Sequence, residues 1–429
     1  MKKKLIEFAK KPFVKNVLIL SSGTAGAQAI AMLSSPIVTR LYGPEAYGIM
    51  GAFVAIISII SPIAALTMPI AIVLPKSDKE ARGLVKLSLI ITIIIAGLIG
   101  LLLILFNNFI IEVFNFQNVS GYLFLIPIVI LMAGLLEVTE QWLIRNKQFS
   151  VSAKVVLLQA IIVNGGKVGF GFFNPVASVL IAFSAFTQGI KAALVYLLTK
   201  NYTHRISFNL LKIKVSIKDT LKKYKDFPLF RAPEVLINGV TQNMPLILMA
   251  TFFGPVAAGF YSICKTVLNA PSNLIGNSVG NVFYPKISEA ANNNENLPRL
   301  IKKATFALSI VGAVPYGIIV LFGPWLFNFV FGEGWVVAGE YARWVALWSY
   351  FSFINKPSVK ALPVLSAQAF QLKYTIIILV TQTISLLIGF YVFSSDKIAV
   401  AIFGITGALL NVGLIFITLR ISRKFKGDK

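Results

Sequence analysis

Gly43-Pro44-Glu45-Ala46-Tyr47-Gly48 and Gly254-Pro255-Val256-Ala257-Ala258-Gly259 lie 211 positions apart and share four of six residues. Proline is preset for the first turn of a helix, and glycine permits backbone angles closed to other residues. Each hexapeptide therefore reads as a tight turn ahead of a helix. One such turn says little, but its recurrence suggests that the chain is a duplicated unit. Working outward, six apolar stretches fall in each half. The first six are Val17 to Val38, Ala46 to Met68, Leu84 to Phe106, Tyr122 to Leu143, Val155 to Phe173 and Val176 to Leu198. The second six are Phe230 to Phe253, Val256 to Val279, Ala304 to Leu326, Tyr341 to Leu362, Tyr374 to Phe393 and Ile398 to Leu419. Crossing a hydrocarbon layer of about 30 Å takes about 20 residues, which is the length of each. Six crossings return the chain to the same side, so the halves predict a parallel repeat about an axis along the membrane normal. The expected fold class is an all-α integral membrane protein with twelve transmembrane helices in two six-helix lobes around a central cavity. Residues 1–199 and 230–429 would form the lobes, joined by a basic cytoplasmic linker over 200–229.

Composition agrees with a membrane protein. Hydrophobic residues make up 57% of the chain and charged residues only 13%, against about 25% charged in soluble domains. The net charge of +24 would suit nucleic acid, but the basic residues border apolar runs and form no single patch. Anionic lipid head groups are the expected partners, and nucleic acid is not. Of 40 Lys and Arg residues, 34 lie in alternate gaps between the stretches, including both ends of the chain. The positive-inside rule puts these gaps and both termini in the cytoplasm. Lys2, Lys3 and Lys4 ahead of an apolar run would suit a signal peptide, but apolar and small residues continue to Val38, past the length of a signal core, so an uncleaved first helix is expected.

The single cysteine, Cys264, excludes an internal disulfide, and the single histidine, His204, leaves no His/Cys metal cluster. No metal and no cofactor are expected. A membrane enzyme would need a nucleophile with its base, paired catalytic carboxylates or a metal set, and the one histidine falls in the basic linker. A channel would need a repeated filter or ring of charge, and the chain has none. Two matching bundles are the apparatus of an alternating-access transporter.

Six basic residues break the inside pattern: Arg40, Lys167, Lys191, Lys265, Arg343 and Lys397. Arg40, Arg343 and Lys397 stand close to helix ends opposite the basic gaps, and Lys167 is roughly 9 Å from such an end. Each either reaches lipid head groups or faces a cavity. Lys191, three residues after Gln188, is open to both readings. Lys265 lies roughly 15 Å into the eighth stretch, too deep for an easy reach to the surface. A lysine there costs about 2.5–3.5 kcal/mol, so it should face water, a partner or a substrate. Ser262, Lys265, Asn269, Ser272, Gly276 and Gly280 follow spacings of three and four and share its face. Helix packing by small and polar residues is the other use of such a stripe. The seventh stretch aligns Glu234, Asn238 and Gln242, and the first carries Thr24 and Gln28 on a broader polar face. The intramembrane acids Glu137, Glu140 and Glu234 are the candidates for ion coupling. Glu137 and Glu140 have Arg145 as an alternative structural partner, and Glu234 has Lys265 or Arg231. Deep charge leans cationic, which favours an anionic, phosphorylated substrate over an organic cation.

The chain resembles the Wzx-type polysaccharide flippases, a branch of the multidrug/oligosaccharidyl-lipid/polysaccharide exporter superfamily. The resemblance rests on the run from Ser35-Pro36-Ile37-Val38-Thr39-Arg40-Leu41-Tyr42 through the first Gly-Pro turn, and on Ala71-Ile72-Val73-Leu74-Pro75-Lys76. It continues in Gln141-Trp142-Leu143-Ile144-Arg145-Asn146-Lys147-Gln148-Phe149, in Phe331-Gly332-Glu333-Gly334-Trp335 and in Ala338-Gly339-Glu340-Tyr341-Ala342-Arg343. It implies a MATE-like fold of two pseudo-symmetric six-helix lobes and a V-shaped cavity lined by the first, second, seventh and eighth helices. The implied activity is transport, not catalysis: moving an oligosaccharide linked to undecaprenyl diphosphate to the outer leaflet of the bacterial cytoplasmic (inner) membrane, for O-antigen, capsule or exopolysaccharide. The implied partners are that lipid-linked sugar, membrane lipids, the polymerase and chain-length proteins of polysaccharide assembly, and a coupling ion, H+ or Na+. A MATE-type antiporter of organic cations is the rival within the fold.

Overall fold

The computed structural model describes residues 12–199, 216–293 and 295–425. The N-terminal lysines up to Lys11, His204 with residues 200–215 of the basic linker, and the chain from 426 lie outside the described residues. Among the described residues every regular element is helical. The chain packs as two units, Met1–Ile247 and Leu248–Lys429.

The duplicated turn seen in the sequence is also duplicated in conformation. The first helix, α1 (Pro12–Ile60), is broken at Gly43, with φ 71° and ψ 174°. The long helix Ala232–Pro271 is broken at Gly254, with φ 83° and ψ 179°. This extended, positive-φ region is open essentially to glycine alone. No atom lies within 4 Å of where a Cβ would stand at either residue, so the requirement comes from the backbone and not from crowding. Pro44 and Pro255 then open the following helical segment, where their missing N–H costs nothing.

Unit 1 continues with α2 (Asp78–Phe114), α3 (Ile126–Arg145), α4 (Phe149–Phe173), α5 (Ala177–Ala185) and α6 (Thr187–Leu198). Eight helices of the described chain are long and apolar enough to cross a membrane, and nine if α5 and α6, bent by 41°, form one span. Two of the eight are the helices broken at Gly43 and Gly254. α1 lies directly against α4: a Cβ on Gly23 would meet the Ala153 backbone at 2.7 Å, and Tyr42 Oη donates to the Lys167 carbonyl at 2.7 Å.

The second apolar stretch reads as helix to Met68, but α1 stops at Ile60, ahead of Ser61-Pro62. Two short 3-10 turns, Ser61–Ile63 and Met68–Val73, follow, with Leu66 and Thr67 left-handed between them. Met68, Ala71 and Ile72 are fully buried here. Buried irregular backbone must find hydrogen-bond partners, and Arg145, at the end of α3, supplies them. Its Nη1 donates to the carbonyls of Ile72 at 3.1 Å and Pro75 at 2.6 Å, while Nε and Nη2 reach Asp78 Oδ1 at 3.3 and 2.9 Å. The alternative pairing of Arg145 with Glu137 or Glu140 is therefore corrected. The guanidinium fork is occupied by loop carbonyls that no helix serves, and by the acid at the start of α2.

The end of the basic linker docks on the same loop. It comprises α7 (Ile217–Lys223) and a π-helical turn, Phe227–Arg231. Ser216 caps α7 through the Asp219 N–H. Thr67 Oγ1 donates to the Phe227 carbonyl at 3.1 Å, and Tyr224 Oη donates to Glu80 Oε1 at 3.0 Å. Tyr224 is buried with Met68, Leu84 and Trp142. The Lys223 ammonium also donates to Glu80, and that hydrogen bond holds it above the ordinary lysine pKa.

The helix Ala232–Pro271, α8, carries the chain from unit 1 into unit 2. A π-helical turn, Ser272–Gly276, follows, then α9 (Asn277–Asn292), α10 (Leu297–Phe331), α11 (Val336–Ile354), α12 (Gln368–Tyr391) and α13 (Asp396–Lys424). α10 and α11 cross where Gly323 and Gly339 face each other; a Cβ on Gly339 would meet the Gly323 carbonyl at 2.4 Å. Tyr261 and Phe260 of α8 pack edge-on against Phe403 of α13 and Tyr341 of α11.

Two outcomes follow from this packing. Gly43→Ala and Gly254→Ala should each cost about 1–3 kcal/mol through backbone strain alone, seen as a lower thermal midpoint of the detergent-solubilised protein. An unchanged midpoint would mean that the turn relaxes without glycine. Arg145→Lys keeps the charge but loses the fork, and should cost about 1.5–3 kcal/mol in the same assay. Wild-type stability in that variant would remove Arg145 as the organiser of the loop.

Candidate functional site

In the unit 2 part of α8 most positions are buried against the unit's core, among them Ala257, Ala258, Tyr261, Ile263, Cys264, Leu268 and Ala270. Between them runs a narrow open strip on which Thr266 and Asn269 are exposed and Ser262 is half-buried, with Lys265, also half-buried, at its edge beside Tyr261. Pro271 brings no N–H and its ring crowds the preceding turn, and the helix widens into the π turn at once. Such insertions free a carbonyl from the regular ladder. The Ser272 carbonyl accepts a hydrogen bond from Lys356 Nζ at 2.9 Å. The Lys356 side chain also lies across Gly276, where a Cβ would meet its Nζ at 2.6 Å and its Cδ and Cε at 2.8 Å.

Lys356 thus places a second ammonium at the π turn that follows, seven residues or roughly 10 Å along the helix from Lys265. It comes from the one-and-a-half-turn helix Lys356–Ala361, whose Pro357 and Ser358 are buried. In the sequence Lys356 is one of the 34 basic residues that follow the inside pattern, and nothing sets it apart from them. The only local signal was a proline-small-residue break at 271–276 facing no predicted partner. No Asp or Glu occurs between Glu234 and Glu289, so the stripe contributes no acid of its own.

The other sequence candidates divide by unit. Glu234, Asn238 and Gln242 are exposed on the unit 1 part of α8. Glu234 pairs with Arg231 at 2.8 Å, one of its two anticipated partners, and Asn238 Nδ2 donates back to the Glu234 carbonyl. On α1, Thr24 and Arg40 are exposed and Gln28 is half-buried. Lys167 turns inward between helices, donating to Ser184 Oγ at 3.0 Å with Met50 Sδ at 3.7 Å. Arg343 is exposed on α11 and donates to the Leu321 carbonyl at 2.9 Å.

A second charged group lies inside unit 1. Glu137 and Glu140 stand one turn apart on α3, close enough for the charge of Glu140 to act on Glu137. The charge of Lys191, on α6, acts on Glu140. Glu137 Oε2 is buried without a hydrogen-bond partner among the described residues.

With that geometry in view, the comparisons have a definite meaning. A family model described as "polysaccharide biosynthesis protein" matches residues 37–340, which is most of the chain. The chain belongs to that family. Its fold is also found in solved transporters. An inward-facing multidrug resistance MATE family transporter of the MOP superfamily matches with a TM-score of 0.72 and 14% identity, over 92% of this chain and 95% of that one. The lipid II flippase MurJ, in an inward closed conformation, matches with a TM-score of 0.71 and 14% identity, over 95% of this chain and 90% of that one. A Vibrio cholerae MATE transporter, VcmN, matches at 0.61 and 13% identity, with 97% of each chain covered. No protein of curated function matches the sequence. At these identities the structures speak for the fold. Together with the family match, that shared fold bears out the resemblance to the Wzx-type family, and the eight or more helices long and apolar enough to cross a membrane make the chain a multi-pass membrane protein.

The interaction between α3 and α6 gives this family member a measurable signature. Lys191→Ala and Glu140→Gln should each destabilise unit 1, and the double variant should lose less than their sum, with a coupling of about 0.5–3 kcal/mol. Strict additivity in thermal unfolding would show that the two charges do not interact.

Proposed function

We propose that this protein moves an undecaprenyl-diphosphate-linked oligosaccharide from the inner to the outer leaflet of the bacterial cytoplasmic membrane by alternating access, for assembly of a surface polysaccharide. The observation that carries the reading is a pair of ammonium groups in unit 2: Lys265, half-buried beside the exposed Thr266 and Asn269, and Lys356, at the π turn that ends the same helix. At an effective dielectric of about 20, a lysine 4 Å from a phosphate charge gains on the order of 4 kcal/mol. That offsets its insertion cost of about 2.5–3.5 kcal/mol. Two such groups roughly 10 Å apart along a helix suit a diphosphate with its first sugar better than a single compact anion. Asn269 and Thr266, exposed between them, offer the neutral hydrogen-bonding groups that hydroxyl-rich ligands use. The family match to polysaccharide biosynthesis supports the sugar-bearing substrate, and the likeness to a lipid II flippase supports a lipid-linked one.

In this reading Glu137 and Glu140, held beside Lys191, bind the coupling ion in unit 1. Within unit 1, Glu234, Asn238 and Gln242, with Thr24, Gln28 and Arg40, are exposed or half-buried polar groups open to a sugar's hydroxyls. An antiporter of organic cations would instead need an acid on the Lys265 face.

The test is complementation of a bacterium that lacks its own flippase. Wild type should restore surface polysaccharide. Lys265→Glu should abolish it, and Lys265→Ala or Lys356→Ala should lower it by roughly 10-fold, the equivalent of about 1.4 kcal/mol, at unchanged membrane levels of protein. Full surface polysaccharide from both Lys265 variants would remove the cationic face from the mechanism. A rise in resistance to cationic dyes on overexpression would favour the antiporter.

A further inference from the structure

Arg343 and Lys397, two of the basic residues that break the inside pattern, meet in a surface groove of about 470 Å³ on unit 2. Pro324 of α10, Glu340, Arg343 and Trp344 of α11, and Lys397 of α13 are among the residues that line it, and an edge of the otherwise buried Tyr341 reaches it. α11 has two faces here. Tyr341, Ala342, Val345 and Ala346 are buried, with Tyr341 edge-on to Phe260 of α8 and bonded through its hydroxyl to Asp396. Glu340, Arg343, Trp344 and Leu347 form the opposite face, away from the helix that carries Lys265. The surroundings are those of a lipid-facing surface: Leu321, Phe322, Trp325, Phe329 and Trp344 are all exposed large apolar residues. Tryptophan at such positions marks a membrane–water interface.

The groove is assembled with some precision. The Gly323–Gly339 crossing brings α10 and α11 into backbone contact, and the stem of Arg343 lies over Gly323, its Cγ 3.2 Å from where a Cβ would stand. The guanidinium is thus held at the Leu321 carbonyl by one Nη2 hydrogen bond of 2.9 Å. A guanidinium has five N–H donors, so donors remain beyond that bond. Lys397 is paired with Glu340. The lining therefore carries two positive charges and one negative, a surplus of one. Asp396 is taken up by Tyr341 and by the Lys397 N–H and does not line the groove. The gap from Phe327 to Glu340 contains no Lys or Arg, so the positive-inside rule puts this end at the outer surface.

We infer that this groove binds the phosphodiester head group of an outer-leaflet phospholipid, with Arg343 on the phosphate oxygens, Lys397 at the rim and Trp344 against the glycerol and upper acyl chains. A phosphodiester carries the single negative charge that the lining lacks, and arginine binds phosphate oxygens in a forked geometry. The acyl chains would run down the apolar surface of α10. Neither this site nor its test depends on what the protein transports.

Native mass spectrometry of the delipidated protein in detergent tests it, with three probes titrated separately: phosphatidylglycerol, a diacylglycerol of the same chains, and inorganic phosphate. Wild type should retain one phosphatidylglycerol with a Kd roughly 10-fold below that of Arg343→Ala. Arg343→Lys should fall between them. Glu340→Gln, which raises the surplus charge, should bind at least as tightly as wild type, a direction that a merely structural role for the ion pair would not give. If Arg343→Ala does not yield monodisperse protein, Lys397→Gln at the exposed rim replaces it and should weaken binding about threefold. The inference is overturned if neither variant changes phosphatidylglycerol retention, if diacylglycerol binds equally well, or if inorganic phosphate alone occupies the site and excludes the lipid.

Discussion

A backbone inside hydrocarbon must satisfy its own N–H and C=O groups, because no water is there to do so. That constraint turns nearly all of this chain into helix and makes each departure from helix an event with an identifiable partner. At Gly43 and Gly254 the chain changes direction within one residue by entering a backbone region reserved for glycine, and the proline that follows starts the next segment without an orphaned donor. At residues 61–76 the departure is longer, and the guanidinium of Arg145 reaches across from α3 to serve two loop carbonyls and Asp78. At the π turn after Pro271 the carbonyl of Ser272 accepts a hydrogen bond from Lys356. Glycine conformation, an arginine fork and a lysine tip are three answers to one requirement.

The same requirement decides which charges are spent on structure. Arg145 and Lys167 are both basic residues near helix ends, yet both are committed within unit 1. The first goes to loop carbonyls, the second to a hydroxyl and a thioether between α4 and its neighbours. Lys265 is half-buried about two turns from the nearest break in α8, and Thr266 and Asn269 beside it are exposed. Lys356 is spent on structure at least in part, because its bond to the Ser272 carbonyl stabilises the π turn.

Much of this was legible in the sequence, for a physical reason. Crossing length, charge asymmetry and the Gly-Pro turns are local properties of short segments, and local properties survive into the fold. The Gly43 and Gly254 breaks were readable because the only residue that tolerates their angles was named in the sequence twice, 211 positions apart. The early end of the second stretch was less readable. Its residues to Met68 are as apolar as a helix would be, and only Ser61-Pro62 hinted at a stop. The partner of Arg145 and the role of Lys356 were not readable at all. Each depends on contacts between residues some 70 or 84 positions apart, and no spacing rule along the chain encodes them.

Arg343 and Lys265 illustrate how two residues that look alike in a list of exceptions are separated by helix phase. Both are single basic residues in apolar helices, and both could be drawn as cavity ligands from sequence. Residue 341, two positions before Arg343, points at Phe260 on the core side of α8, and two positions in a helix are about 200° apart. Arg343 must then face away from α8. The step that puts Tyr341 into the core of unit 2 is the same step that turns Arg343 toward the Trp325 and Trp344 surface. A slip of α11 by two residues would carry Arg343 to the place of Tyr341, burying a guanidinium against Phe260. The close Gly323–Gly339 crossing fixes that phase, since any rotation would drive a larger neighbour's side chain into the opposing backbone. The glycine pair thus helps to decide which side of unit 2 carries Arg343.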